Sequence, residues 1–179
     1  MRWKIPYGRI QIYRHKLLNT GDNIAIMIYK KERMIAMKRD DQEILKEVQK
    51  NSSMAINAIE TVSQMVHNDE LLQELSKEKL LYSVIQNKAT DRLQRERAEG
   101  YHASSVQDMM LKGSIQMNTL TNCSTSKIAE IMIQGSSKGI TNMWKSMNHH
   151  QNSGNTSMEI ARELVAFEEK TISRLKKFL

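Results

Sequence analysis

Two acidic residues interrupt stripes that are otherwise apolar. Glu78 falls within the series Leu71, Leu75, Tyr82, Ile85, Ala89, and Glu168 within Met158, Ala161, Val165, Ile172, Leu175, Leu179. An unpaired carboxylate in a core is costly, so a helical bundle keeps such groups by holding a metal or by closing an internal ion pair. Di-iron carboxylate bundles take one Glu from each of two helices and a Glu-x-x-His from each of the other two. The only Glu-x-x-His here runs from Glu99 to His102, and Gly100 inside it marks a loop. His149 and His150 are adjacent and cannot share a helix face, and His67 with Glu60 reads as surface near a helix end. Glu78 and Glu168 are thus the candidate metal ligands, with Glu130 or Glu60 as further donors. Nothing in the spacing gathers four ligands, so no cofactor is expected.

Nucleophilic catalysis finds no better footing. Cys123 precedes a helix start, a position that lowers a thiol pKa, yet no His or Asp is tied to it by sequence. Gly135-Ser-Ser-Lys-Gly139 lacks the Walker spacing and a preceding strand, and mid-helix packing accounts for it. No catalytic residue and no small-molecule substrate is identified.

The elements that position these residues are helices. Ser126 to Asn148 is the most apolar long segment, with Ile128, Met132, Gly135, Gly139, Met143 and Met147 on one stripe. A glycine inside a helix costs about 1 kcal/mol relative to alanine, so Gly135 and Gly139 are expected to be helix-packing positions where a neighbour crosses closely. Before it, a helix is expected over 41–67, opened by an Asp40/Glu43 capping box and striped by Leu45, Val48, Ser52, Ala55, Ile59, Val62 and Val66. Asn68 is expected to cap a second helix over 69–97, its stripe widened by Leu72, Leu80, Leu81 and Val84. A third is expected over 105–121, the central helix is capped by Ser124 or Thr125, and a last helix over 157–178 is opened by Thr156 and Glu159. The short 67–69 link makes the first pair an antiparallel hairpin. The fold expected is all-α, an antiparallel up-and-down bundle of four to five helices. The 13 methionines read chiefly as gap-fillers of its core; exposed methionines together with Trp144 would instead form a groove for a partner helix or a second copy.

Residues 1–36 stand apart from the bundle domain, 37–179. They carry the only proline, Pro6, three of the five tyrosines, and no helical periodicity. Eight basic and two acidic side chains give this extension +6 of the net +7. The bundle is therefore nearly neutral, and no nucleic-acid partner is expected for it. Three readings of the extension compete: a basic arm for RNA or an anionic membrane surface, a small β-like appendage, or an upstream segment outside the native protein. The last is favoured, since Met37 opens a polar helix start and Lys31-Glu32-Arg33 can be encoded by a ribosome-binding sequence. A lone cysteine and the lack of an apolar run near the roughly 20 residues of a membrane span point to a cytoplasmic protein without membrane contact.

From Leu71 onward the chain resembles small uncharacterised bacterial helical-bundle proteins, ferritin-like in general layout. The segments LLQELSKEKLLYSVIQNKATDRL (71–93), TSKIAEIMIQGSSKGI (125–140) and LVAFEEKTISRLKKFL (164–179) carry the resemblance. It implies a fold and no activity, and the ferritin-type Glu-x-x-His pairs are lacking. The function expected is a non-enzymatic one exercised through protein contact, as a homo-oligomer or with a protein partner. The alternative is a divergent ferritin-like carboxylate metal protein.

Overall fold

No glycine or proline interrupts the chain between Asn23 and Ser63, and one helix, α1 (Asn23–Ser63), takes up all 41 residues. In this computed structural model residues 23–102, 111–115 and 123–179 are described. Helix α1 begins well before the expected start at Asp41. Once a helix is nucleated each further residue adds a hydrogen bond, and nothing between Asn23 and Asp40 stops it. Met27, Ile28 and Met34 are exposed, whereas Asp40, Asp41, Ile44 and Leu45 are buried. The remainder of the extension, residues 1–22, lies outside the described residues.

After a turn at 64–68, α2 (Asp69–Arg95) starts as expected on Asn68, whose side chain accepts from the Leu71 N–H at 2.8 Å. Asp69 and Glu70 occupy its first turn, where negative charge suits the helix dipole. It ends on a turn with Arg97 at φ 52°, its last helical residue Arg95 falling just short of the expected end at Arg97. Helix α3 (Thr125–His149) is capped by Ser124, which accepts from the Lys127 N–H at 3.3 Å. Helix α4 (Asn155–Leu175) runs into a 3-10 turn over Lys176–Phe178. Its N-cap is Gly154, with no side-chain cap bond, so the Thr156 capping box is not formed. Most of the expected 105–121 helix lies outside the described residues, but 111–115 are helical.

Side-chain bonds fix the directions. Gln49 donates to Thr90 at 2.7 Å, Gln86 to Ser53 at 2.6 Å, and Lys79 pairs with Glu60 at 2.7 Å. Numbers rise on α1 as they fall on α2, so the two are antiparallel. The same pattern joins α2 to α4 through Lys88–Glu163 and Glu74–Arg174, and α1 to α3 through Asp40–His150 and Asn51–Gly139. The helices therefore form an all-α bundle of two antiparallel hairpins, each long helix antiparallel to its ring neighbours. Helices α2 and α3 run the same way, and the helical segment 111–115 lies between them in the chain. No strand occurs among the described residues.

The core follows the expected stripes with a few rotations. Leu71, Leu75, Tyr82, Ile85, Ala89 and Leu93 from α2 meet Ile44, Leu45, Val48, Ile59 and Val62 from α1. On α3 the buried line runs through Ile128, Met132, Ser136, Gly139, Met143 and Met147. It passes Ser136 where Gly135 was expected, because steps of four hold this side of the helix to Gly139. On α4 it runs through Ile160, Leu164, Glu168, Thr171 and Leu175, with Leu179 exposed. At roughly 25 cal/mol per Å² of apolar area, these side chains supply the drive for folding, while the α1/α2 polar pairs set the register.

Candidate functional site

Both singled-out acids lie inside the bundle. Glu78 is 0% and Glu168 2% exposed, so helical periodicity placed them correctly. Glu78 lies 3.7 Å from Arg174 Nη2. That guanidinium also donates through Nε to Glu74 and through Nη2 to Thr171 Oγ1 at 3.1 Å. Burial pushes the Glu78 carboxyl up to about 8; Arg174 opposes the rise and Glu74 adds to it. Glu168 also rises to about 8 through burial, offset by a backbone hydrogen bond from Ile140. Both acids are therefore predominantly protonated at neutral pH. Among the described residues, Glu78 Oε1 and Oε2 and Glu168 Oε2 have no hydrogen-bond partner.

Between the two carboxyls stands Tyr82. Its ring meets Phe167 edge-on with centroids 4.7 Å apart at 80°, and its hydroxyl lies 3.4 Å from Ser136 Oγ. Burial first, and then the Glu168 charge, hold the phenol well above its ordinary pKa. Ser136, Gly139 and Glu168 open onto a cleft of about 250 Å³ between α1, α3 and segment 111–115. Met54, Ala55, Ala58 and Ile131 form much of its apolar wall, and Asn51 joins the polar end. Sequence reading expected Ala55 to be covered by a neighbouring helix; it is only partly buried because the cleft lies against it.

The two glycines differ. A Cβ on Gly139 would lie 2.5 Å from both Glu168 carboxylate oxygens, so this is a close crossing. A Cβ on Gly135 would meet nothing within 4 Å among the described residues. Gly135 is thus not a packing contact there; it faces the cleft one turn away from the α3–α4 crossing.

The remaining candidate donors are dispersed. Glu60 pairs with Lys79 and Glu130 with Lys127 at 2.9 Å, outside the interior that holds Glu78 and Glu168. Glu99, His102 and His149 are exposed, as is Cys123. No group of three or more His, Cys, Asp or Glu that could hold a metal occurs among the described residues.

A second polar cluster was not foreseen. Asp40 accepts from His150 Nδ1 at 3.2 Å, from the Asn152 backbone N–H at 3.2 Å and from Asn152 Nδ2 at 3.1 Å. Asp41 accepts from the Gly154 N–H at 2.7 Å. The pair expected to start α1 instead lies within it and ties down the α3–α4 turn, with Asp41 at the α4 N-terminus in place of a side-chain cap. The signal was available in the acid pair beside an apolar stripe and a polar NHHQNSGN turn, but only tertiary structure joins them.

The chain matches no protein-family model, no curated protein and no solved structure. None of the helices in the described residues is long and apolar enough to cross a membrane.

Proposed function

We propose that the chain is a non-enzymatic helical bundle that acts by protein contact, and that it self-associates through the outer face of α2. The observation that carries this reading is the exposure of Leu80, Leu81 and Val84, at 68%, 46% and 50%. Sequence reading placed these residues at the margin of the buried stripe; they instead form an apolar strip one turn long on the solvent side. Leu80 and Val84 are four residues apart and share a face, the spacing by which one helix seats against another. Apolar side chains clustered in this way mark contact sites more often than single exposed leucines do.

A cytoplasmic setting agrees with the single cysteine. The rival reading, a divergent ferritin-like metal protein, draws on the two buried carboxyls and on a single crossover between two helical hairpins, a connectivity that ferritin-like bundles also use. It has less support, because lysines engage Glu60 and Glu130 away from the interior.

Light scattering on the full chain tests the proposal. A dimer or larger species that becomes a monomer in Leu80→Glu/Val84→Lys, with helical content unchanged, is the expected result. A monomeric wild-type chain at high micromolar concentration removes self-association. Iron or manganese retained stoichiometrically and lost in Glu168→Ala would move the assignment to the rival.

A further inference from the structure

Glu168 lines the cleft described above, and among the described residues no cationic side chain is set against it. Glu78 has Arg174 beside it, whereas the Glu168 carboxyl is offset by the Ile140 backbone. Among the described residues its Oε2 has no hydrogen-bond partner, in a side chain that is 2% exposed. A buried carboxyl on the lining of a cleft can accept from a donor that enters it, and the strongest donor for it is a cation.

We infer that this cleft binds a small primary ammonium carried on a short apolar body, with the Glu168 carboxylate as its counter-ion. The volume of about 250 Å³ equals that of about eight water molecules at roughly 30 Å³ each, which sets the size of the ligand. Met54, Ala55 and Ile131 face its apolar part. Asn51 donates its amide to the Gly139 carbonyl at 3.4 Å and keeps its own carbonyl oxygen as an acceptor. Ser136 supplies a hydroxyl on the same wall. Among the described residues, the charged and titratable groups around the site are Tyr82 and Glu78 on α2, and Lys138 at the exposed rim on α3. Helix α1 and segment 111–115 bring no charged side chain to the cleft.

The proton balance is explicit. At pH 7 the Glu168 carboxyl is protonated; on binding, its O–H bond breaks, the proton passes to buffer, and the carboxylate pairs with the incoming R–NH3+. Binding therefore releases close to one proton, and it strengthens with rising pH until either Glu168 is already ionised or the ammonium loses its own proton.

Isothermal titration of the full chain with benzylamine at pH 7, in two buffers of different ionisation enthalpy, tests this, with benzyl alcohol as the uncharged control. The expected result is saturable binding of one benzylamine with release of nearly one proton. Affinity is expected to fall at least about tenfold for benzyl alcohol, for Glu168→Gln, and for Ala55→Leu, which fills the cleft but retains the carboxyl. Failure of the folded wild type to bind, binding without proton release, or undiminished binding by Glu168→Gln overturns the proposal. Should Glu168→Gln not fold, Ala55→Leu decides: unchanged affinity overturns it and loss upholds it. None of these outcomes depends on the α2 face.

Discussion

The Glu168 carboxyl occupies the space that Gly139 leaves by having no side chain, with both oxygens 2.5 Å from where a Cβ would stand. Gly139→Ala must therefore push a buried carboxyl aside. The expected cost is about 1–3 kcal/mol, even though alanine is the better helix former by about 1 kcal/mol. Gly135→Ala, which meets nothing within 4 Å among the described residues, is expected to stabilise by up to about 1 kcal/mol. Urea unfolding followed by circular dichroism separates the two. Equal stabilisation by both substitutions would mean that Glu168 moves freely.

Asp40 holds the α3–α4 turn through three donors. Asp40→Ala leaves the Asn152 backbone N–H and His150 without that acceptor, at an expected cost of about 1–3 kcal/mol. Amide hydrogen exchange at Asn152 should accelerate more than exchange in the middle of α2. If the two speed up equally, the turn is not locally anchored by Asp40.

Much of the fold was legible because stripes at three-four spacing report burial directly. Leu71, Leu75, Tyr82, Ile85 and Ala89 on α2, and Met132, Gly139, Met143 and Met147 on α3, are buried as their spacing requires. Asn68 and Ser124 cap as their types require. Asp40 misled because an acid three residues before Glu43 has the same local form whether it begins a helix or bonds to a turn more than a hundred residues away. Leu80, Leu81 and Val84 misled because a wide stripe on one helix does not say how wide its partner is. Glu78 and Glu168 stood out as charges in apolar series, yet whether each met a cation or a cleft depended on Arg174 and Gly139, which only packing brings to them.

Both buried carboxyls carry a pH signature. In an open chain a glutamate titrates near 4.5, and in the folded protein both are pushed to about 8. Between those values the folded state holds protons that the unfolded state has released. Stability therefore falls as pH rises from about 4.5 to 8, by at most about 1.4 kcal/mol per pH unit for each carboxyl. Below that window both states are protonated and the effect vanishes; above it the loss is complete. Glu78→Gln and Glu168→Gln should each gain stability relative to wild type on going from pH 5 to pH 9. Parallel curves for wild type and variants would show that neither carboxyl is shifted.

Among the described residues, Arg174 is the one cation set against Glu78, and it also lies 5.7 Å from the Phe167 ring centroid. Arg174→Met keeps much of the packing and removes the charge. What then acts on Glu78 is burial together with Glu74, both of which raise its pKa. Its titration should move above 8, and the fall in stability with pH should extend to correspondingly more alkaline solution. Arg174 is 35% exposed, so solvent screens the pair. Because Glu78 is predominantly protonated at neutral pH, the loss there comes mainly from the bonds to Glu74 and Thr171 and is expected to be about 1–3 kcal/mol, short of the roughly 3–5 kcal/mol of a fully buried pair. Arg174→Lys retains the charge but cannot span Glu74, Glu78 and Thr171 with one planar fork, so it should fall between the two. Carboxyl-carbon NMR titration of Glu78 in the three proteins reads the effect directly. An unchanged midpoint in Arg174→Met would show that the guanidinium at 3.7 Å is too well solvated to act on the acid it faces.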